Sequence, residues 1–322
     1  MKRIAVLTSG GDAPGMNAAI RAVVRTAFEN EIEVYGVMGG YQGLLESDFI
    51  SMDLRTVSNI IQRGGTILHS ARSAEFKTQE GTLKAKDVLK KYEIENLVVI
   101  GGDGTLAGGN RLSKTGVSVI GIPATIDNDV GYSDMTIGYD TAMNTVMLMV
   151  DRLRDTTEAH KRCSVVEVMG RDAGYIALNS GIAVGAMSIL IPEVKYDIQR
   201  DIVDRMNRTR HYGKHHFIII VAEGAGDSQE ISKKIQEATG IETRLTVLGH
   251  VQRGGSPTVN DRVLGSHFGN EAIQLIKKIN DDSSFALGYK SNKIVSYPLD
   301  EALKIKKHIN MDLYKVANEI SI

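Results

Sequence analysis

Short runs of aliphatic and β-branched residues alternate along this 322-residue chain with longer segments of helical periodicity. That alternation favours an α/β fold with a mainly parallel sheet. The runs are apolar at nearly every position, as in strands that are covered on both faces. Strands are predicted at 4–7, 34–37, 97–100, 117–122, 164–168, 189–191, 217–221 and 245–248. Helices are predicted at 16–30, 82–92, 140–159, 198–210, 228–239 and 260–279.

Small or charged residues follow six of the predicted strands. In open α/β sheets, ligands bind beyond the carboxyl ends of the strands. The segments at these positions are 8–12, 101–105, 125–129, 169–172, 223–224 and 249–255. One such segment is ordinary turn chemistry, but six together predict a binding site.

Charge, hydropathy and cysteine content exclude several classes of protein. The formal net charge of −1 argues against a nucleic-acid binder that neutralises phosphates. The first residues lack the long apolar segment of a signal peptide, and no apolar run is long enough to cross a membrane. The single cysteine, Cys163, excludes an internal disulfide and fits a cytoplasmic protein. Cys163 could be a nucleophile, but its place in the apolar run 163–168 favours a core position.

Glycines are abundant and clustered: the chain has 33, roughly 10% of its residues against an average near 7%. The segment 10–15 lies between a strand and a helix, and predicts either a phosphate-binding loop or a structural turn. In the segment 101–105, Gly102 and Gly104 would let a triphosphate lie against the backbone. Asp103 could hold Mg²⁺ there directly or through water, and the alternative is a helix N-cap.

Two carboxylates, Asp127 and Asp129, stand two residues apart. In an extended segment they would point to the same side. One could then act on an acceptor hydroxyl while the other lies near the metal, although a turn rich in Asp and Asn would have a similar sequence. Basic residues beside the glycine turns suggest that the substrate also carries phosphate. These are Arg72, Arg162, Arg171, Arg244, His250 and Arg253.

Seven segments carry a family resemblance: LTSGGDAPGMNAAIR, VVIGGDGT, TIDNDV, TIGYDTAMNT, VEVMGR, VAEG and ETRLTVLGHVQRGGSPT. In this order and spacing the chain resembles the bacterial ATP-dependent 6-phosphofructokinases, from its start to about residue 270. GGDG alone also occurs in NAD kinases and diacylglycerol kinases, whereas TIDND and HVQRGGSP together make the resemblance specific. Beyond about residue 270 no chemistry is assigned.

The resemblance implies a cytoplasmic, Mg²⁺-dependent kinase of glycolysis that phosphorylates fructose 6-phosphate with ATP. It implies two three-layer α/β domains with mainly parallel sheets. A larger nucleotide-binding domain would comprise 1–138 and 251–304, and a smaller sugar-phosphate-binding domain 139–250 and 305–322. It implies a homotetramer without nucleic-acid or membrane partners.

The resemblance also assigns residues. Asp127 would accept the proton of the sugar's 1-hydroxyl, while Thr125 and Arg171 would stabilise the transferring phosphoryl group. ATP positions are Gly11, Tyr41, Arg72, Ser73, Gly102, Asp103, Gly104 and Thr105, and the predicted metal positions are Asp103 and Asp129. Substrate positions are Thr125, Ile126, Asp127, Arg162, Met169, Gly170, Arg171, Glu223, Arg244, His250, Val251, Gln252 and Arg253. Arg162 and Arg244 would reach the sugar phosphate of a neighbouring subunit.

Two departures from the family pattern, Ala124 where the ATP-dependent family usually has glycine and the pair Ser73-Ala74, concern the phosphoryl donor. Pyrophosphate-dependent relatives tend to carry Asp and Lys at the positions of Gly104 and Ala124, so the small residues here favour ATP. Ser73 and Ala74 stand where the family often has Cys-Pro or Phe-Pro. The loss of proline would loosen this loop and relax nucleotide selectivity.

An effector pocket for ADP as activator and phosphoenolpyruvate as inhibitor is also implied. Its positions are Arg21, Ala22, Val23, Val24, Arg25, Arg154, Gly185, Ala186, Met187, Tyr212, Lys214, His215 and His216. Met187 replaces a glutamate that engages the effector's Mg²⁺, and a thioether is a poor ligand for that cation. Tyr212 and His215 replace usually basic residues. We therefore expect weakened or altered allosteric control.

Three alternatives remain open from sequence. They are a pyrophosphate-dependent phosphofructokinase, a kinase for another sugar phosphate, and a catalytically silent nucleotide sensor. The presence of Asp103, Asp127 and Arg171 argues against the sensor.

Overall fold

The computed structural model describes residues 2–279 and 282–321, which form two compact units. The first unit contains the residues up to Ile126 together with Val130–Thr141 and Arg253–Lys307. The second contains Asp127–Asp129, Ala142–Gln252 and the residues from His308 onward. Within the described ranges, no helix combines the length and the apolar character that a membrane span requires.

The strands are β1 Arg3–Thr8, β2 Glu33–Val37, β3 Phe49–Met52, β4 Asn96–Gly101, β5 Ser118–Pro123, β6 Cys163–Val168, β7 Ser188–Leu190, β8 Phe217–Ala222, β9 Thr243–Val247, β10 Phe285–Lys290 and β11 Lys293–Pro298. The helices are α1 Met16–Phe28, α2 Gly40–Glu46, α3 Gln79–Lys91, α4 Asp103–Ser113, α5 Tyr139–Ala159, α6 Tyr175–Ala183, α7 Asp204–His211, α8 Ser228–Thr239, α9 Val259–Lys278, α10 Leu299–Ala302 and α11 Met311–Glu319.

The sheet of the first unit has the strand order β11-β10-β5-β4-β1-β2-β3. Its inner strands are parallel, and β3 and β11 pair antiparallel at the two edges. From β1 the chain passes to β2 on one side and later to β4 on the other. The order therefore reverses between β1 and β4, which makes their carboxyl ends the topological switch point where such sheets bind ligands.

The second unit contains a four-stranded parallel sheet in the order β7-β8-β6-β9. Apolar side chains of β6 and β8, such as Val165 and Ile219, pack with Met206 of α7 and Ile235 of α8 in one buried cluster. Burial on this scale is the main stabilising term of the unit. Both units have α/β architecture with mainly parallel sheets, which confirms the predicted fold class.

Every strand and helix predicted from the sequence is present, with ends shifted by a few residues. The helix predicted at 198–210 begins as a π-helix, Gln199–Val203, and continues as α7. Several elements were absent from the predicted ranges: α2, β3, α4, α6, β10, β11, α10 and α11. The division of nucleotide and sugar binding between the two predicted domains stays a prediction.

A buried carboxylate connects α9 to the start of α5. Asp261, in the first turn of α9, is 0% exposed. Its carboxylate accepts hydrogen bonds from the backbone N–H of Gly138 and of Thr141, each at 2.8 Å, and from the Thr141 hydroxyl at 2.5 Å. Burial raises the pKa of Asp261 to about 6 despite these donors. Asp261 thus accepts hydrogen bonds from backbone N–H groups at the start of α5, which a helix cannot pair internally.

Candidate active site

Two glycine-rich loops meet at the carboxyl ends of β1 and β4. The Ser9 N–H donates to the Ile100 carbonyl at 3.2 Å, and the Thr105 hydroxyl donates to the Ser9 carbonyl at 2.8 Å. Helix α4 begins directly after the second loop, and within the described chain no side chain caps it. The N–H groups and positive dipole of its first turn therefore suit an anion such as a phosphate.

The glycines at 102 and 104 are not required by the fold itself. A Cβ atom added at Gly104 would have no described atom within 4 Å, and one at Gly102 would approach the Thr125 Cβ at 3.4 Å, an ordinary contact. Neither residue has a positive φ, unlike Gly10, whose φ is 84°. The open space above Gly104 and the lack of any conformational need for glycine at Gly102 suit a ligand that lies on the backbone.

Asp103 is exposed and is the first residue of α4, while Gly102 holds the N-cap position. The alternative of Asp103 as the N-cap is therefore wrong. Among the described residues there is no cluster of three or more potential metal ligands. Mg²⁺ commonly binds through one or two carboxylates together with phosphate oxygens and water, so a single exposed aspartate beside the uncapped N-terminus of α4 fits this cation.

The remaining predicted ATP positions differ in exposure. Gly11 is exposed, and a Cβ atom there would collide with the guanidinium of Arg253. Arg72 is also exposed, whereas Tyr41 is only 5% exposed. The Ser73 hydroxyl accepts the Phe76 N–H at 3.1 Å and so ties the loop that was expected to loosen without proline. The ATP roles of all these residues stay predictions.

In the second unit, Asp127 is 0% exposed and its Oδ2 lies 3.4 Å from Nε of Arg171. The arginine offsets the unfavourable burial of the carboxylate. The extended segment expected for 125–129 is wrong, because Ile126 and Asp127 form a turn and Asn128 has a φ of 52°. The alternation of side chains along an extended strand therefore cannot be used to place Asp127 and Asp129 on the same side.

Glu223 shapes the loop that carries Arg171. Its Oε1 accepts the N–H of Gly170 at 3.1 Å and that of Arg171 at 2.7 Å. These contacts hold Arg171 in the left-handed region, with a φ of 53°. Gln252, 0% exposed, accepts the Met169 N–H at 3.3 Å and donates to the Gly249 carbonyl at 3.0 Å. The structure thus brings several predicted substrate residues together after β6, β8 and β9.

Arg162 and Arg244 lie elsewhere. Arg162 precedes β6, and Arg244 is in the first half of β9, at the amino ends of these parallel strands. The expectation that they lie beside glycine turns is therefore wrong. The length of β6 separates Arg162 from Met169 by about 20 Å, so one chain cannot present both to the same small ligand. Glu242 pairs with both arginines, at 2.6 Å from Arg162 and 2.5 Å from Arg244, and this holds its pKa below the usual range.

Other predicted substrate residues show varied environments. The side chain of Ile126 is 0% exposed, so only its backbone could contact a ligand. Thr125 is 8% exposed and accepts the Thr136 hydroxyl through its carbonyl at 2.6 Å. His250 is exposed, and Val251 is 55% exposed. Arg253 belongs to the first unit, where its Nη1 lies 3.4 Å from the Asp12 carbonyl.

The predicted effector residues fall into two groups. On α1, Arg21 and Arg25 reach the surface, whereas the side chains of Ala22, Val23 and Val24 are buried. Burial, with the like charge of Arg25, lowers the pKa of Arg21. Their effector roles stay predictions.

The second group of effector residues lies in the second unit. Arg154 donates to the Val184 carbonyl, and burial, with nearby Arg154, lowers the pKa of Lys214. Ala186 and Met187 are 3% and 1% exposed, and Met187 packs in the apolar cluster of this unit. Gly185, Tyr212 and His215 are exposed, and His216 is partly exposed. Met187 therefore offers no side-chain atom to a ligand from this position.

Sequence reasoning missed three residues that shape these sites: Phe76, Glu242 and Asp261. Thr258 followed three residues later by Asp261 is a helix-start signal, and the Thr258 hydroxyl does accept the Asp261 N–H at 3.3 Å. That signal locates the start of α9 but gives no hint of the long-range contacts to Gly138 and Thr141.

Comparisons with known proteins point to one family. The phosphofructokinase family model matches residues 3–276. The chain is 53% identical over 321 residues to the ATP-dependent 6-phosphofructokinase of Clostridium tetani, and 52% identical over 322 residues to that of Halalkalibacterium halodurans, with 100% of each chain covered.

Two solved structures have the same fold. Phosphofructokinase from Saccharomyces cerevisiae matches with a TM-score of 0.91 and 36% identity, covering 100% of this chain and 48% of the yeast chain, so this chain spans about half its length. A pyrophosphate-dependent phosphofructokinase from Marinobacter aquaeolei matches with a TM-score of 0.85 at 20% identity, over 97% of this chain and 86% of that one. On the family match and the full-length identities, the chain belongs to the phosphofructokinase family.

Proposed function

We propose that this chain transfers the γ-phosphoryl group of ATP to the 1-hydroxyl of fructose 6-phosphate, which gives fructose 1,6-bisphosphate and ADP in glycolysis. Relatives at 53% and 52% identity over the full chain are named ATP-dependent 6-phosphofructokinase. The observation that carries the proposal is the fully buried carboxylate of Asp127, which lies beside the guanidinium of Arg171.

Asp127 accepts the proton of the 1-hydroxyl as that oxygen attacks the γ-phosphorus. The bond from phosphorus to the bridging oxygen breaks, and ADP leaves with the electron pair. In the free chain Asp127 is fully buried beside Arg171, so the exposed Arg171 side chain must move to admit the sugar hydroxyl to the carboxylate. Arg171, whose side chain is 59% exposed, is able to turn toward the phosphoryl oxygens, and Thr125 adds a hydroxyl donor.

The nucleotide rests on the turn from Gly102 to Thr105. The α4 N-terminus binds the phosphates through backbone N–H groups, and Arg72 adds a side-chain charge. Asp103 would hold Mg²⁺, with Asp129 as the second proposed ligand, and the cation would neutralise phosphate charge. Catalysis by this chain then consists of positioning and charge stabilisation without a covalent intermediate.

ATP is favoured over pyrophosphate at two positions. The space above Gly104 is open, and an aspartate there would fill it with a like charge beside the phosphates. Ala124 is 0% exposed and pairs with Ile137, so its methyl adds neither charge nor bulk to the ligand side. Both features leave room for the rest of a nucleoside triphosphate.

We further propose a homotetramer whose active sites are completed by a neighbouring copy. Arg162 and Arg244 lie at the amino ends of their strands, whereas Met169, Gly170 and His250 follow the carboxyl ends. A sugar phosphate bound by both sets needs two chains. Glu242 pairs with both guanidinium groups and holds them together, so that both could bind one anion such as a phosphate.

Control by ADP and phosphoenolpyruvate is proposed to be weak. Met187 points into the core, and Tyr212 carries no charge where a cation is usual, although Arg154, Lys214, Arg21 and Arg25 remain. Fructose 6-phosphate saturation curves, measured with and without MgADP and phosphoenolpyruvate, test this directly. Large shifts of the usual direction would contradict it.

The experiment that tests the main proposal is an aldolase-coupled assay with fructose 6-phosphate, in which MgATP and pyrophosphate are compared as donors at equal concentration. We expect turnover with MgATP and little with pyrophosphate. A clear preference for pyrophosphate would instead favour a pyrophosphate-dependent phosphofructokinase. Nucleotide binding without turnover of any sugar phosphate would favour the silent sensor.

We place the reaction in the cytoplasm, where the buried thiol of Cys163 stays reduced.

A further inference from the structure

Tyr41, in α2, is buried within the first unit and packs flat against another aromatic ring. It is 5% exposed, and its ring stacks on that of Phe76 with centroids 3.9 Å apart and an interplanar angle of 9°. Burial raises the pKa of its hydroxyl well above the usual range, so the group stays protonated and acts as a donor. So little exposed surface leaves a nucleotide almost no access to this side chain.

The Tyr41 hydroxyl donates to the carbonyl oxygen of Thr105 at 2.6 Å. Thr105 is in the first turn of α4, and its own hydroxyl donates to the Ser9 carbonyl in the loop after β1. The first contact holds the backbone of Thr105, and the second holds its side chain. Thr105 thereby joins the two glycine-rich loops to each other and to Tyr41.

The close approach of Tyr41 depends on a glycine of α4. A Cβ atom added at Gly108 would lie 2.7 Å from Cε2 of Tyr41. On the other side, Phe76 is held in a short 3₁₀ helix, Glu75–Lys77, and the Arg111 guanidinium lies 5.7 Å from the Phe76 ring centroid. Since Arg111 is itself on α4, the aromatic pair is clamped against the helix that it positions.

We propose that Tyr41 is a positioning residue for the nucleotide, which acts through the Thr105 carbonyl and the first turn of α4. This inference rests on the proposed function and changes the role assigned to Tyr41 from direct contact to support. If the hydroxyl is lost, the turn from Asp103 to Thr105 becomes less well ordered. The nucleotide must then order this turn as it binds, while the sugar phosphate is unaffected.

The test is Tyr41→Phe, which removes one oxygen and keeps the stacked ring. We expect the KM for MgATP to rise about three- to tenfold, as for the loss of one buried hydrogen bond, and the KM for fructose 6-phosphate to stay within about twofold. Tyr35→Phe is the matched control, because Tyr35 is a partly buried tyrosine of β2 in the same unit that packs edge-on with Phe49. Its kinetics should equal those of the wild type.

A second variant and a direct binding measurement complete the test. Phe76→Leu keeps the Tyr41 hydroxyl but removes its stacking partner, and should raise the KM for MgATP in the same direction by a smaller factor. Calorimetric titration with MgADP, in the absence of sugar, should show the same order of weakening. This titration tests the inference even if the wild type turns over no sugar phosphate. That result would refute only the proposed function.

Two outcomes would overturn the inference. One is an unchanged nucleotide affinity in Tyr41→Phe, and the other is an equal rise in the KM values for both substrates, which would indicate a general loss of structure. If Tyr41→Phe does not fold, unchanged MgADP affinity in Phe76→Leu would overturn it as well.

Discussion

The guanidinium of Arg171 lies 3.4 Å from the carboxylate of Asp127, measured from Nε to Oδ2. One partner is fully buried and the other is 59% exposed, so the pair joins a fixed carboxylate to a movable cation. The carboxylate of the proposed base therefore stays beside a positive charge until an acceptor hydroxyl replaces the guanidinium next to it.

The substitution Asp127→Asn tests the base. The amide has nearly the same shape but accepts protons poorly, so we expect kcat to fall by at least about 10²-fold with little change in either KM. Initial rates in the coupled assay measure the effect. Asp87→Asn, on the exposed side of α3, is the control and should leave the kinetics unchanged. A folded Asp127→Asn enzyme with near-normal turnover would exclude this role for Asp127.

Gly104→Ala separates ligand binding from stability. Its Cβ atom meets no described atom in the free protein, and alanine favours a helix, so the melting temperature should be unchanged or slightly higher. The methyl group occupies the space of the phosphates, so we expect the KM for MgATP to rise by roughly an order of magnitude or more, because close backbone contact is lost.

Gly269→Ala is the opposite case to Gly104→Ala. Its Cβ atom would lie 2.5 Å from the Ala19 carbonyl oxygen, where α9 packs on α1. We expect a lower melting temperature with a normal KM for MgATP in the folded fraction. If Gly104→Ala binds MgATP normally, the phosphates do not lie on the turn from Gly102 to Thr105.

Sharing of active sites between subunits predicts recovery of activity in mixed assemblies. Asp127→Asn and Arg162→Ala should each be inactive alone. If each site combines Asp127 of one chain with Arg162 of another, co-expression of both variants restores roughly a quarter of the sites by random assembly. Activity of the purified hybrids measures this, with each variant expressed alone as the baseline. Hybrids as inactive as their parents would contradict site sharing.

Asp261 predicts a pH dependence of stability. Its pKa of about 6 in the folded protein exceeds the value of an exposed aspartate, near 4. The folded state therefore binds this proton more tightly than the unfolded chain. The resulting stabilisation is fully present below about pH 4 and is lost as the pH rises through about 6.

Asp261→Asn should remove that titration. It also loses one acceptor for the amides of Gly138 and Thr141, so we expect about 1–3 kcal/mol of destabilisation at pH 7. Between pH 4 and 7, denaturant unfolding should show a flatter profile than the wild type. Asp312→Asn, whose side chain is 91% exposed in the parent, should parallel the wild type. Parallel profiles for Asp261→Asn would show that Asp261 does not carry this dependence.

Buried parallel strands were predictable because their composition leaves few alternatives. Runs such as 97–100 and 217–221 consist of aliphatic residues that are covered on both faces. The ends of these strands place the turn from Gly102 to Thr105 and the loop at Met169 where they were expected. Edge elements were harder to predict. The β10–β11 hairpin turns at Ser291 and Asn292, both with positive φ, and lacks the glycine that usually marks such a turn.

Contacts between distant segments could not be predicted. The positive φ of Asn128 redirects the chain between two aspartates. A single asparagine in a loop is not enough to predict that conformation. Likewise, the bonds from Tyr41 to Thr105 and from Asp261 to Thr141 join residues 64 and 120 positions apart. Such pairs depend on the packing of complete elements, for which local periodicity carries no signal.

The tolerance of the free protein for a methyl group at Gly102 or Gly104 has a consequence for how variants of this protein would be found. A methyl group added at either position meets little or no resistance from the free protein. Screens that report only expression level or melting temperature would therefore accept such changes, and even reward them at a helix start. Sequences optimised for robustness alone would drift toward well-folded proteins that bind the nucleotide weakly.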